Sequence, residues 1–125
     1  MNRSSIMRRV RLGEIAYARS GDKGSGANVG VIAHTLAGYQ YLLKALPPAR
    51  VERFFKPLQC GKVLRYDLPN LLAFNFILPG VLAGGASRSL RTDAQGKALG
   101  QALLELELSI SAIDLARSKP QGRRK

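Results

Sequence analysis

The pattern of hydrophobic and polar positions first divides the chain into strands. Residues 10–18 alternate in two phases around Gly13, which predicts a strand with a bulge or turn at that glycine. Residues 29–33 form a short apolar run typical of a buried strand. Residues 63–68 alternate strictly, and residues 72–78 are apolar at almost every position. A strand that is apolar on both faces belongs in the middle of a sheet.

Helical spacing lies between these strands and after them. Residues 39–46 carry apolar side chains at i, i+3, i+4 and i+7, and the prolines at 47–48 end that predicted helix. Residues 51–58 repeat the spacing as a second short helix. A capping box over residues 92–95 predicts the start of a third helix. Residues 104–111 then alternate again, which favours a strand with one polar face.

The order of these elements predicts a fold class. From residue 29 to residue 111 it runs strand, helices, strand, strand, helix, strand, the split βαβ pattern of a ferredoxin-like α+β sandwich with a mostly antiparallel sheet. The strand in residues 10–18 is then an extra N-terminal one. It either extends the sheet or replaces residues 29–33 as the first strand.

Charge sets the expected limits of the domain. The 125 residues carry 20 Lys and Arg against 8 Asp and Glu, a net charge of +12. Residues 1–11 contribute +4 and residues 117–125 contribute +5, so most of the imbalance lies at the two ends. We therefore predict disordered basic tails at residues 1–9 and 117–125 around one domain at residues 10–116. Such tails attract nucleic acid or anionic lipid weakly and without specificity.

Composition excludes several classes of protein. A hydrophobic fraction of 46% is too high for a wholly disordered chain. One histidine and one cysteine are too few for a zinc site or an internal disulfide, so we expect no metal and no cofactor. His34 is interpreted as a strand-end or capping residue and Cys60 as an unreactive turn residue. With no span-length apolar stretch and no secretory h-region, we predict a cytoplasmic protein.

A glycine-rich polar segment at residues 19–28 is the first candidate for chemistry. Three glycines, two serines and two cations in ten residues predict a loop that turns backbone N–H groups inward as an anion nest, with Arg19 and Lys23 adding charge. The alternative is a tight connection between strands in which Asp22 pairs with a neighbouring cation. The glycine spacing fits neither a dinucleotide fingerprint nor a Walker A loop.

A second polar segment leads into the capped third helix. Ser87, Arg88, Ser89 and Arg91 precede a helix N-terminus, an arrangement that suits a phosphate or carboxylate. The alternative is that the cap residues already satisfy those N–H groups. Asn75 also stands out, because it is the polar side chain of a strongly apolar strand and a buried amide needs partners.

Several ordered motifs follow one another along the body of the chain. They are Arg-Ser-Gly-Asp-Lys-Gly at 19–24, Ala-Asn-Val-Gly-Val-Ile at 27–32, Leu-Pro-Asn-Leu at 68–71, Phe-Asn-Phe at 74–76, and Ser-Arg-Ser-Leu-Arg at 87–91 followed by Gly96, Lys97 and Gly100. Over residues 11–108 the sequence thereby resembles the C-terminal domain of the acyclic terpene utilisation protein A (AtuA) family. The resemblance implies a ferredoxin fold.

The resemblance also implies a metabolic setting. Members of the family belong to bacterial pathways that degrade branched acyclic terpenoids and related acids as CoA thioesters. The family's long N-terminal domain has no counterpart in these residues, so the resemblance implies a separate AtuA-like large subunit as partner. No established catalytic role comes with the motif residues. The candidates for binding or docking that match the family pattern are Arg19, Ser20, Asp22, Lys23, Asn28, Asn70, Asn75, Arg88, Ser89 and Arg91.

Three functions follow as hypotheses. The first is a small accessory subunit of a large AtuA-like chain in acyl-CoA catabolism, whose glycine-rich Arg/Lys patch binds a CoA-type anion or docks the partner. The second is a nucleic-acid-binding ferredoxin-like module, although the aromatic RNA-recognition signature is absent. The third is a stand-alone enzyme acting on an acyl-CoA thioester. Self-association into a homo-oligomer stays open in each case.

Overall fold

The computed structural model describes residues 6–81 and 96–120. Within them no helix is long and apolar enough to cross a membrane. The six strands are β1 Met7–Arg11, β2 Ala16–Lys23, β3 Gly26–Ala33, β4 Leu64–Leu68, β5 Ala73–Leu78 and β6 Glu107–Ser111. The α-helices are α1 Leu36–Ala45, α2 Pro48–Phe54, α3 Gly96–Leu103 and α4 Ala112–Ser118, and short 3-10 turns cover Leu12–Glu14, Lys56–Leu58 and Pro69–Leu71.

Four of the strands form one antiparallel sheet in the order β2-β3-β5-β4, and β1 pairs with β6 in a separate antiparallel pair. The path from β3 through α1 and α2 to β4 leaves room for β5 between the two strands, which is the split βαβ connection. The predicted α+β class with an antiparallel sheet is confirmed, and so is the central place of β5.

The N-terminal strand differs from its prediction. The expected single strand over residues 10–18 is two strands, β1 and β2, joined by the 3-10 turn Leu12–Glu14. The phase change at Gly13 is this turn, which buries Leu12 and Ile15 completely. The extra strand β2 extends the sheet beside β3, at the edge where β6 would complete an ordinary ferredoxin-like sheet, and β6 instead pairs with β1.

The regular structure also reaches further towards both ends than the predicted domain of residues 10–116. Strand β1 begins at Met7 because it pairs with β6 along its whole length. Helix α4 ends at Ser118, which is fully buried. The Thr35 hydroxyl caps α1 by accepting from the Gly38 N–H at 3.0 Å and donates to the Arg117 carbonyl at 2.8 Å. These contacts fasten residues that the charge pattern assigned to tails.

The hydrophobic core lies between the four-stranded sheet and the helices. The face of the sheet turned to the helices is called the covered face, and its central residues Val29, Val31, Phe74 and Phe76 have no solvent exposure. The Tyr39 ring of α1 stacks on Phe74 with ring centroids 4.8 Å apart. The predicted helical stripe of residues 39–46 therefore meets the predicted central strand.

Arg65 is the cation of this covered face. Its guanidinium donates to the Leu43 and Leu46 carbonyls at 3.1 and 3.0 Å and to Asp67 at 2.8 Å, and lies 5.1 Å from the centre of the Phe74 ring. It thereby satisfies carbonyls at the end of α1 that have no partner within the helix. Strand β4 consequently turns Arg65 inward and its apolar residues outward.

Candidate functional site

The first glycine-rich segment is a β-hairpin. Residues 19–23 complete β2, residues 26–28 begin β3, and a two-residue turn at Gly24 and Ser25 joins them. The predicted polar loop is wrong at this point, because the alternation of β3 continues back through its glycine and asparagine positions to Gly26. Gly24 has a φ of +60°, the left-handed conformation that tight hairpin turns use.

Strand alternation places the candidates of this segment on opposite faces. Ser20 and Asp22 pair across to Val29 and Ala27, two residues of the covered face, whereas Arg19 pairs with Gly30 on the other face. The Ser20 hydroxyl accepts a hydrogen bond from the Gly100 N–H at 3.0 Å. Ser20 therefore fastens helix α3 to the sheet, and Arg19 and Asp22 do not meet at one site.

Two of the predicted asparagines do meet. Asn28 of β3 and Asn75 of β5 lie on the uncovered face, and the Asn28 amide nitrogen donates to the Asn75 amide oxygen at 3.3 Å. Asn75 thus has the side-chain amide of Asn28 as its partner. Asn70 is exposed in the 3-10 turn between β4 and β5, away from this pair.

The other candidates are less completely described. Lys23 is the last residue of β2. Ser87, Arg88, Ser89 and Arg91, together with the capping box at residues 92–95, lie outside the described residues, so their predicted roles stay predictions.

The face of the sheet opposite the helices is where Arg19, Asn28 and Asn75 come together, and we call it the open face. The strand register arranges it in three rows of four cross-strand neighbours. One row is Tyr17, Ile32, Ala73 and Leu68, the next is Arg19, Gly30, Asn75 and Tyr66, and the third is Gly21, Asn28, Ile77 and Leu64.

Large apolar and aromatic side chains of the open face are exposed. Tyr17 is 47% exposed, and on β4 the exposed fractions are 45% for Leu64, 54% for Tyr66 and 40% for Leu68. Sequence reasoning grouped the three β4 residues on one side of a strand but did not name them as functional. The alternation of these residues with Arg65 and Asp67 could have predicted their exposure, because a strand that buries its polar side must expose its apolar side.

The charge of the open face has one sign. Among the twelve residues of these rows there is one cation, Arg19, and there is no carboxylate, and the next row of the register pairs Lys23 with Gly26. Arg19 is exposed and forms no ion pair with any residue in the described ranges. Beyond the β4 edge an open groove of about 670 Å³ continues the apolar surface from Leu64 and Tyr66 to Pro47 and Pro48.

Reactive groups of enzymes are scarce in the described part of the chain. Burial and the carboxylate of Glu52 raise the pKa of the Cys60 thiol, so less thiolate is present than in a free cysteine. His34 follows β3 directly, as predicted, and its ring stacks on Tyr17 with centroids 5.7 Å apart. Burial lowers the pKa of His34 below 6.5. No group of three potential metal ligands occurs among residues 6–81 and 96–120.

Comparison with known proteins gives one match. The family model of the AtuA ferredoxin-like domain matches residues 10–109. No curated protein and no solved structure matches the chain. The matched range runs from the end of β1 into β6, so it contains the whole open face and the hairpin that carries Arg19 and Asn28.

Proposed function

Because this chain belongs to the AtuA ferredoxin-like domain family, we propose that it is an accessory subunit that docks through its open face onto a chain carrying the large domain of that family. In this role it serves the bacterial catabolism of branched or terpenoid acyl-CoA compounds. The observation that carries the proposal is the exposure of Leu64, Tyr66 and Leu68 in one line along an edge strand.

Hydrophobic burial explains why such a line favours a protein partner. A single exposed apolar side chain is ordinary, but contiguous apolar patches on a domain surface mark sites of protein association. Ile32 and Ile77 lie beside these residues on the same face and are themselves only half-buried. A partner that covers the open face therefore removes apolar area from water on four adjacent strands.

Charge narrows the class of partner. The cation Arg19 has no carboxylate beside it on the open face, so a complementary surface offers an acidic residue. A second copy docked face to face would bring two such cations together and supply no acid. Single-stranded nucleic acid needs a track of several cations beside its stacking rings, whereas the three rows of the open face contain one, Arg19. These properties favour a different protein chain.

The finer hypothesis of a CoA-type ligand depends chiefly on Ser87, Arg88, Ser89 and Arg91. Those residues lie outside the described ranges, so docking is the version of the proposal that the described residues support. An acyl-CoA bound at that segment of the assembled complex is compatible with docking through the sheet.

The test compares two double variants of the full chain. Leu64→Ser with Leu68→Ser removes apolar side chains of the open face, whereas Leu36→Ser with Ile113→Ser removes side chains of similar exposure at the starts of α1 and α4. Each is titrated calorimetrically with a purified large-domain chain encoded in the same genome, after nuclease treatment. We expect at least a tenfold loss of affinity for the first variant and wild-type affinity for the second.

Two outcomes would overturn the proposal. The wild-type chain could fail to bind the large-domain chain at all, or both double variants could lose affinity equally. Tight binding of a single-stranded RNA 20-mer that Leu64→Ser with Leu68→Ser abolishes would instead assign the open face to nucleic acid. Light scattering of the wild-type chain alone reports self-association in the same series.

A further inference from the structure

In the half of the open face that lies over β2 and β3, two of the six positions are glycines, and we call the surface above these two glycines the bare area. Gly30 lies in the middle of β3 and Gly21 is its diagonal neighbour on β2. A Cβ atom added at Gly30 would meet nothing nearer than the Arg19 carbonyl oxygen at 3.9 Å, and one added at Gly21 would lie 3.7 Å from the Asn28 amide oxygen. These are ordinary van der Waals separations, so packing in the described domain requires glycine at neither position.

Backbone conformation does not require these glycines either. Among the described residues the glycines with positive φ are Gly24 and Gly80. Glycine inside a strand weakens the strand, because it has no side chain to pack and loses more conformational freedom than other residues. An interior glycine that neither packing nor φ explains often marks a place where a ligand or another backbone comes close to the sheet.

Hydrogen-bonding groups surround the bare area. The single hydrogen bond between Asn28 and Asn75 uses one donor and one acceptor, while each side-chain amide has two donor hydrogens and an acceptor oxygen. Side-chain amides match the donor and acceptor of a peptide group. Arg19 lies directly across from Gly30 and is exposed. Peptide-pairing groups and one cation therefore flank the two glycines.

The width of the bare area indicates which backbone conformation can lie against it. Adjacent strands lie about 4.8 Å apart, so two diagonal glycines open a width of about one extended chain. An α-helix with its side chains is about 10 Å across and would collide with Arg19 and Asn28. The area therefore suits main chain in an extended conformation.

We propose that these residues, called the glycine trough (Arg19, Gly21, Asn28, Gly30 and Asn75), bind an extended segment of the partner's main chain that carries a carboxylate opposite Arg19. The inference rests on the docking function proposed above and specifies what the partner presents. Asn28 and Asn75 bond the peptide groups of the segment, and Arg19 pairs with its acidic side chain. The apolar line on β4 then packs against the remainder of the partner.

The decisive variant is Gly30→Val, which fills the trough with a side chain that strands favour. Because a Cβ at residue 30 would make only ordinary van der Waals contacts, the nearest at 3.9 Å, we expect the variant to fold with an equal or higher melting temperature. Its affinity for the purified large-domain chain is expected to fall at least tenfold. Ser109→Val is the matched control, since it adds the same side chain at an exposed position of β6 outside the open face.

A second variant tests the charge of the proposed segment. Arg19→Glu reverses the cation of the glycine trough, and we expect a loss of affinity that grows as the ionic strength is lowered. Arg8→Glu on β1 is the corresponding reversal of an exposed arginine that lies outside the open face and, like Arg19, forms no ion pair within the described ranges, and we expect wild-type affinity for it.

The outcomes separate this inference from the proposed function. If the wild-type chain binds the large-domain chain and Gly30→Val binds it equally well, the glycine trough is overturned while docking through the apolar line stands. Misfolding of Gly30→Val would also overturn it, because the domain would then have no room for a side chain at residue 30. If Gly30→Val instead weakened the binding of a single-stranded RNA 20-mer, the ligand of the glycine trough would be nucleic acid and not a peptide segment.

Discussion

The four strands of the main sheet carry two faces that follow opposite rules. On the covered face Val29, Val31, Phe74 and Phe76 are completely buried, and the one charged guanidinium is held by two carbonyls and a carboxylate. On the open face the side chains of β4 are about half exposed. Contacts inside the domain explain the residue types of the covered face, but they do not explain the apolar residues of the open face. Residues of the second kind indicate what the domain meets outside itself.

The two faces of the sheet also differ in the space around their glycines. On the covered side a Cβ at Gly100 of α3 would lie 3.2 Å from the Ser20 hydroxyl oxygen and 3.3 Å from the Ala18 Cβ, so the helix can approach β2 only without a side chain there. On the open side Gly21 and Gly30 have no such neighbour. Packing within the domain therefore requires a glycine at residue 100, whereas no packing contact among the described residues requires one at Gly21 or Gly30.

The largest expected difference between the faces concerns aromatic side chains. Phe74→Ala is expected to lower the free energy of unfolding by about 3–5 kcal/mol, because a fully buried ring stacked on Tyr39 leaves a cavity. Tyr66→Ala on the neighbouring strand is expected to change it by less than about 1 kcal/mol, since half of that ring is already in water. Urea denaturation of both variants measures the contrast. Equal losses would show that the open face is part of the core.

A smaller effect with opposite signs is expected for the two kinds of glycine. Gly100→Ala is expected to destabilise the domain by about 1–2 kcal/mol, since crowding against strand β2 outweighs the gain in helix propensity. Gly30→Ala is expected to stabilise it by about 0.4–1 kcal/mol through the reduced entropy of the unfolded chain. Thermal unfolding of both variants measures the two changes in stability. Changes of the same sign would contradict the different roles of Gly100 and Gly30.

The smallest expected effect is a pH dependence of stability caused by His34, which stacks on Tyr17 of the open face. Burial lowers the pKa of His34 in the folded protein below its ordinary value of 6.5, so the unfolded chain takes up this proton more readily. The contribution of His34 to stability is therefore complete above pH 6.5 and declines as the pH falls through and below that value. Between about pH 7.5 and 5.5 we expect the melting temperature to fall more in wild type than in His34→Gln. Parallel curves for the two proteins would exclude this role.

Sequence periodicity predicts the parts of the fold in which a local pattern and the core coincide. The stripe at residues 39–46 became helix α1 with Tyr39 and Leu42 buried, and the doubly apolar run at residues 72–78 contains the central strand β5. In both cases the residues that set the period are the residues that pack. The alternation after residue 104 likewise placed Leu106, Leu108 and Ile110 inside.

The sequence predicts the hairpin and the candidate site less well, for physical reasons. Glycines and charged residues at 19–28 are depleted in strands generally, and the hydrogen-bond ladder with β3 overrides that tendency here. Alternation in β4 divides the strand into two sides but does not tell which side the helices cover. That choice follows from Arg65 reaching the end of α1, a contact between residues about 20 positions apart.

The pairing of β1 with β6 has a consequence for how the chain assembles. It joins residues about a hundred positions apart, whereas a two-residue turn joins β2 to β3. The entropy lost on closing a loop grows with its length, so the hairpin can form early and the terminal pair can form only after the intervening sheet is in place. We therefore expect local unfolding to begin at the terminal pair, with its amide protons exchanging with solvent sooner than those of the hairpin. The hairpin bearing Arg19 and Asn28 can stay intact while the two ends open and close.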